Sequence, residues 1–114
     1  MSTTSKSVKK VLRVAYEISS KRLPQYWHEF SPKTYTQPQL FCCLVLKGFL
    51  QLDYRGTSEM MEDFAELRDL LGLSRTPHYA TLQRACQRLL KEETVKELLE
   101  ETLGAHQFKK MAAL

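Results

Sequence analysis

The sequence is poor in residues that interrupt secondary structure or cross-link small domains. Of its 114 residues, four are glycine and four are proline, and this content excludes collagen-like and linker-like chains. The longest apolar run, Leu40–Leu46, is seven residues long, whereas a membrane-spanning helix needs about 20. Because residues 1–10 hold no apolar segment after their lysines, we expect no secretory signal and a cytoplasmic protein.

Cysteine and histidine are equally scarce. Cys42, Cys43 and Cys86 cannot all form disulfides with one another, and the three histidines are scattered singly. Since no CxxC or CxxH spacing exists, we expect no zinc site and predict that the cysteines are reduced, buried, small apolar residues. No histidine lies in a motif that positions a nucleophile, so an enzyme in its own right is the weakest hypothesis.

The remaining composition is that of an ordinary folded chain with an uneven charge. The sequence is 43% hydrophobic and 26% charged, with a net charge of +4, which is typical of one globular domain. Residues 1–36 and 75–91 are basic, whereas residues 37–74 and 92–114 are acidic. Residues 75–91 carry four basic residues and no acidic one. Such alternation can produce a positive surface on one side of the molecule.

Hydrophobic periodicity predicts helices throughout and no convincing strand. Apolar residues from Val8 to Ile18 follow the helical period, and this first helix should end near residues 19–21, ahead of Pro24. The aromatic-rich connection at residues 21–35 is expected to pack back on the core; a base-stacking platform is the alternative. Thr36 and Gln39 have the spacing of a capping box. The helix that follows is apolar nearly all round, which predicts a central, buried helix.

The pattern of the second half of the sequence predicts four shorter helices. A turn at residues 53–56 should precede a short helix over residues 57–63, and a second short helix over residues 65–71 should end at Gly72 in a left-handed cap. Thr76 as N-cap and Pro77 in the first turn predict the next helix, about 14 residues or 21 Å long. A last helix is expected over residues 93–103. The fold class is therefore all-α, a compact multi-helix domain.

Residues 57–91 have the plan of a helix-turn-helix, in which the second helix enters the major groove of DNA. Opposite the apolar face of that second helix, Thr81, Arg84, Arg88 and Lys91 have a spacing that places them on one stripe. Arginine can bind guanine, glutamine can bind adenine, and lysine and threonine can bind phosphate. The alternative for this stripe is a solvated helix face that binds no DNA. The basic N-terminal helix has the same two interpretations, a contact with phosphates or a solvated face. The candidate DNA-binding residues are Arg75, His78, Thr81, Gln83, Arg84, Gln87, Arg88, Lys91, Lys9, Lys10 and Arg13.

Five sequence blocks resemble the N-terminal region of bacterial and archaeal insertion-sequence transposases of the DDE type. The blocks are Tyr35-Thr36-Gln37-Pro38-Gln39-Leu40-Phe41, Leu44-Val45-Leu46-Lys47, Leu52-Asp53-Tyr54-Arg55-Gly56, Leu71-Gly72-Leu73 and Thr76-Pro77-His78-Tyr79-Ala80-Thr81-Leu82-Gln83-Arg84. Their order and spacing cover about residues 33–91. The resemblance implies a helical domain that recognises the terminal inverted repeats of a mobile element. It also implies a ribonuclease-H-like catalytic domain, with a divalent metal bound by two Asp and one Glu, after this region.

The sequence departs from the family where that catalytic domain should begin. Asp53 belongs to a block of the helical region, and the glutamates of residues 92–101 have the pattern of a solvated helix face. We therefore expect no catalytic residues, no cofactor and no DNA cleavage from this chain alone, which would be a truncated or split transposase. The expected organisation is a basic N-terminal part (1–34), a helical DNA-binding domain (35–104) and a tail (105–114).

Two functions from different classes follow from these observations. The leading one is sequence-specific binding of double-stranded DNA at inverted-repeat ends during transposition, which would place the protein at the nucleoid. The alternative is a helical interaction module, whose acidic faces and aromatic segment oligomerise with, or inhibit, an intact transposase.

Overall fold

The computed structural model describes residues 7–26 and 34–104, together with residues 107 and 109. Their secondary structure is helical, which confirms the all-α prediction. None of the described helices is long and apolar enough to cross a membrane. Trp27, Phe30, His28 and most of the tail lie outside these residues. The six helices are α1 (Val8–Arg22), α2 (Gln37–Leu50), α3 (Tyr54–Asp63), α4 (Ala65–Leu71), α5 (Tyr79–Leu89) and α6 (Glu93–Leu103).

Helix α2 lies at the centre, as its apolar composition predicted. Its residues 37–48 are all buried, and it packs against α1, α3, α5 and α6. Helix α1 also contacts α4 and α6, and α3 contacts α4 and α5. The described part of the N-terminal segment therefore belongs to the same helical unit as residues 35–104.

Two buried glutamines attach the first turn of α2 to distant parts of the chain. Gln39 completes the predicted capping box, because its Oε1 accepts a hydrogen bond from the Thr36 N–H at 2.9 Å while its backbone N–H donates to Thr36 Oγ1. Its Nε2 donates to the Leu71 carbonyl at 2.9 Å. Gln37 Nε2 donates to the Pro24 carbonyl at 2.9 Å. The start of α2 thus positions both the end of α4 and the residues after α1.

Two predicted helix starts are wrong. Asp53, predicted to lie in a turn, is the N-cap of α3, and its Oδ1 accepts a hydrogen bond from the Gly56 N–H. The absence of a side chain at Gly56 matters, because a Cβ there would lie 3.0 Å from the same oxygen. Thr76 is not the N-cap of α5; His78 is, with Nδ1 accepting from the Ala80 N–H at 3.2 Å. The predicted cap at Gly72 is confirmed, with φ of +68°.

The core encloses three thiols and one amine. Burial raises the pKa of Cys42 and of Cys86 to about 12, and raises that of Cys43 well above its ordinary value. Lys47 is 5% exposed as a residue, and its Nζ lies 4.8 Å from the centre of the Tyr54 ring, a cation–π arrangement. Burial lowers the pKa of Lys47. All three cysteines are buried, as predicted.

We predict that Gln39→Ala lowers the free energy of unfolding by about 1–3 kcal/mol, because it leaves the Thr36 N–H and the Leu71 carbonyl without their partner. Urea unfolding followed by far-UV circular dichroism measures the change. Gln87→Ala removes the same side chain from an exposed position of α5 and should change the unfolding free energy by less than about 0.5 kcal/mol. Equal destabilisation by the two variants would contradict the role given to Gln39.

We also predict that the protein loses stability in alkali. The ordinary pKa of these thiols is 9.0, so above pH 9 the unfolded chain releases protons that the folded chain keeps. The stabilisation is therefore intact below pH 9 and is lost as the pH rises toward 12. Each thiol contributes at most about 1.4 kcal/mol per pH unit.

Urea unfolding under reducing conditions at pH 8, 9 and 10 tests this prediction. Cys86→Ala should lower stability at every pH because it removes buried volume, but its stability should fall less steeply with pH than that of the wild type. Parallel pH dependences for the two proteins would show that the Cys86 thiol does not contribute.

Candidate nucleic-acid interface

The candidate site is an open cleft between α5, the segment before it and the residues that flank the connection from α1 to α2. Its volume is about 570 Å³. Three arginines, Arg75, Arg84 and Arg88, contribute to its lining, and none of the described residues that line it is acidic. The full lining is Tyr26, Thr34, Tyr35, Gln37, Leu40, Arg75, Thr76, His78, Thr81, Arg84, Ala85 and Arg88.

Side chains from α3 and from the end of the connection between α1 and α2 bind the segment before α5. The Ser58 hydroxyl donates to the Pro77 carbonyl at 2.8 Å, and the Tyr35 hydroxyl lies 3.4 Å from the Thr76 carbonyl. The carbonyls of Thr76 and Pro77 thereby accept hydrogen bonds from side chains. In a helix that began at Pro77, these carbonyls would accept from backbone N–H groups of the same helix. This is the physical reason why α5 begins two residues later than the sequence predicts, and it fixes the positions of Arg75 and His78 beside the cleft.

Five of the candidate DNA-binding residues come together in the cleft: Arg75, His78, Thr81, Arg84 and Arg88. Gln83 and Gln87 lie outside it and are exposed on α5. The predicted position of Lys91 is wrong, because α5 ends at Leu89 and Lys91 lies in the turn that follows. The helix has 11 residues, about 16 Å rather than 21 Å.

The basic residues of α1 are elsewhere. Lys9, Lys10 and Arg13 are exposed on α1, which packs against α2, α4 and α6 and contributes no residue to the cleft. Lys9 forms an ion pair with Glu66 of α4. Within the described ranges, Arg75, Arg84 and Lys91 form no ion pair.

The acidic segments contact α1 at a second place. Arg22 lies 3.9 Å from Glu97 and 3.6 Å from Glu101, both on α6. Since the side chains of these pairs are 44% to 58% exposed, each pair contributes little to stability. Their effect on the surface is larger, because acidic side chains of α4 and α6 lie against the basic helix α1. Within the described ranges, the acidic residues of α4 and α6 therefore pair with α1 and not with Arg75, Arg84 or Lys91.

A fourth arginine that the sequence did not indicate lies beside the N-terminal end of α5. Arg55 of α3 donates a hydrogen bond to the Tyr79 hydroxyl at 3.1 Å, and its guanidinium lies 4.6 Å from the centre of that ring. The His78 ring is 4.3 Å from the same ring. No local pattern reveals this group, because Arg55 and Tyr79 are far apart in the sequence. Tyr26 and Tyr35 belong to the aromatic-rich connection, for which a base-stacking platform was the alternative prediction, and Thr34 was not predicted as a site residue.

Helix-turn-helix geometry is not established by this packing. Helix α5 contacts α2 and α3, whereas α4, the short helix immediately before it, contacts α1 and α3. The helix that could brace α5 is thus α3, with α4 between the two in the sequence. Within the described residues, no group of three or more His, Cys, Asp or Glu is arranged to hold a metal ion.

Comparison with models of known protein families, with curated protein sequences and with solved structures gave no match.

One lining residue has an unusual environment. Thr76 Oγ1 is buried and has no hydrogen-bond partner among the described residues, whereas the buried Thr57 hydroxyl donates to the Asp53 carbonyl at 2.8 Å. We predict opposite effects of the same substitution at the two positions. Thr76→Val should raise the free energy of unfolding by about 1 kcal/mol, because it removes an unsatisfied polar atom, and Thr57→Val should lower it by a similar amount.

Thermal and urea unfolding of the two variants beside the wild type measures both changes. Valine has nearly the shape of threonine and suits the extended backbone before Pro77, so the comparison isolates the hydroxyl. Destabilisation by Thr76→Val would mean that this hydroxyl has a partner in solution.

Proposed function

We propose that this chain binds double-stranded DNA sequence-specifically at the terminal inverted repeats of a mobile element, as the N-terminal DNA-binding region of a transposase of the DDE type. The observation that carries the proposal is the cleft. It brings Arg75 and Arg84, which form no ion pair within the described ranges, together with Arg88. Assignment to that family depends on the sequence blocks, and DNA as the partner depends on this charge distribution.

In the proposed complex, α5 is the recognition helix and α3 braces it. An α-helix with its side chains is about 10–12 Å in diameter, which fits the major groove, about 12 Å wide. The exposed residues Gln83, Arg84 and Gln87 would contact base edges, since glutamine and arginine carry the donors that adenine and guanine accept. The other basic and polar residues of the cleft and Lys91 would contact phosphates, which position the protein along the duplex. Lys10 and Arg13 remain candidates for a separate phosphate contact by α1.

We predict that Arg84→Ala weakens binding to a cognate duplex by about 1–3 kcal/mol. A cognate duplex is obtained by selecting 30-base-pair duplexes with a random centre on the immobilised protein. Fluorescence anisotropy then gives the affinity for the selected duplex and for a scrambled one at several salt concentrations. The logarithm of the affinity should fall with the logarithm of salt by about 0.9 per phosphate neutralised.

The matched control is a variant with the same loss of charge outside the cleft. Lys21→Ala/Arg22→Ala removes two positive charges whose partners are Glu17, Glu97 and Glu101. It should affect binding much less than Arg84→Ala/Arg88→Ala does. If selection yields no preferred sequence, or if both double variants bind like the wild type, the proposal is wrong. Association with an intact transposase at a salt concentration that abolishes DNA binding would instead favour the interaction alternative.

A further inference from the structure

One face of α3 holds a guanidinium beside the first turn of α5, outside the cleft. Arg55 donates from Nη2 to the Tyr79 hydroxyl at 3.1 Å, and its Cζ lies 4.6 Å from the centre of the Tyr79 ring. Ser58, three residues later on α3, donates to the Pro77 carbonyl at 2.8 Å. Residues three apart on a helix share a face. The same side of α3 therefore binds both the segment before α5 and Tyr79, the first residue of α5.

The charge of Arg55 is directed to this ring although acidic residues are nearer in the sequence. Asp53 precedes it by two residues, and Glu59 follows it by four, a spacing at which helical side chains can form an ion pair. Within the described ranges, Arg55 forms an ion pair with neither of them. Asp53 Oδ1 accepts a hydrogen bond from the Gly56 N–H instead. A stack on a tyrosine ring keeps the positive charge of a guanidinium and holds it in one place.

A second N–H donor lies at the same end of α5. Arg55 and His78 are exposed residues, whereas Tyr79 between them is half-buried. The His78 ring is 4.3 Å from the Tyr79 ring, and its Nδ1 accepts a hydrogen bond from the Ala80 N–H. Nε2 is therefore the nitrogen that carries the proton of the neutral imidazole. A guanidinium has five N–H donors, and the hydrogen bond of Arg55 to Tyr79 comes from Nη2 alone.

A phosphate of the DNA backbone matches this group. A guanidinium binds phosphate through two parallel hydrogen bonds, and one that is stacked on a ring is already oriented for them. When the N-terminal part of a recognition helix enters the major groove, the helix that braces it crosses the backbone. Arg55 lies on α3, the bracing helix of the proposed complex, so a phosphate and not a base edge is within its reach.

We propose that Arg55 binds a backbone phosphate next to the N-terminal end of α5, and that Tyr79 is the positioning residue that holds the guanidinium for this contact. The inference rests on the proposed function in taking α5 as the helix that enters the DNA. It adds a phosphate contact from α3 that lies outside the cleft and is arranged before DNA binds. Because the side chain is already held, binding requires less side-chain ordering than a mobile arginine would.

Fluorescence anisotropy of the full chain with the selected and the scrambled duplex, over a range of salt concentrations, tests the contact. Arg55→Gln should weaken binding of both duplexes by about five- to tenfold near 0.1 M salt and lower the salt slope by about 0.9, the value for one phosphate. The ratio of the two affinities should stay that of the wild type, because phosphates carry no sequence information. Arg55→Lys keeps the charge, so it should keep the salt slope and lose less affinity.

Two further variants test the positioning role and the specificity of the charge effect. Tyr79→Leu should keep the salt slope but weaken binding by about two- to tenfold, because the guanidinium must then be ordered on binding. In an Arg55→Gln background the same substitution should have no further effect. Arg22→Gln, the matched control, removes an arginine whose partners are Glu97 and Glu101 and should leave the salt slope unchanged. The comparison of Arg55→Gln with Arg55→Lys decides the inference even where Tyr79→Leu fails to fold.

The outcomes distinguish this inference from the proposed function. If the selected duplex binds and Arg55→Gln has the affinity and salt slope of the wild type, the inference is wrong and the proposed function stands. An unchanged slope with a smaller preference for the selected duplex shows that Arg55 only braces α5 through Tyr79, and it also overturns the inference. Selection that yields no preferred sequence contradicts the proposed function, whereas the salt slope with the scrambled duplex still decides the role of Arg55. A wild type that binds neither duplex contradicts both.

Discussion

The structure depends on the burial of α2 on all sides. A helix with neighbours all around must satisfy the polar groups of its first turn without water, since an unpaired buried N–H or carbonyl costs about 1–3 kcal/mol. Gln39 satisfies the N-terminal cap with its oxygen and the end of α4 with its nitrogen. Gln37 donates from its side-chain nitrogen to the Pro24 carbonyl and from its backbone N–H to the Gln25 carbonyl. Two polar side chains in an apolar environment therefore determine where the surrounding segments lie.

The position of the cleft follows from this constraint. Its two sides are the residues next to the connection and the segment between α4 and α5. Gln37 holds the first side through Pro24 and Gln25, and Gln39 holds the second through Leu71 and Gly72. Tyr35 and Ser58 then set the last residues before α5. The lining is thus attached to the most deeply buried helix of the described chain, which limits the reorganisation that a ligand would have to induce.

Local signals predicted the fold where a single residue type decides the geometry. The capping box at Thr36 and Gln39 and the left-handed Gly72 were both correct, because each depends on neighbours within four residues. The predicted start of α3 was wrong because Asp53, assigned to a turn, is the N-cap of that helix. The predicted start of α5 was wrong because His78, and not Thr76, is its N-cap. Hydrogen bonds from the Tyr35 and Ser58 side chains set the start of α5. The local sequence cannot reveal them, because both residues are distant from α5 along the chain.

The charge pattern predicted the arginines of the candidate site but not its shape. Counting charges along the chain singled out residues 75–91, and the structure adds that acidic residues of α4 and α6 lie against α1 instead. The aromatic side of the cleft required a contact between segments about 50 residues apart, which periodicity cannot reveal. The two halves of the lining also differ chemically, since one carries the guanidinium groups and the other the phenol rings.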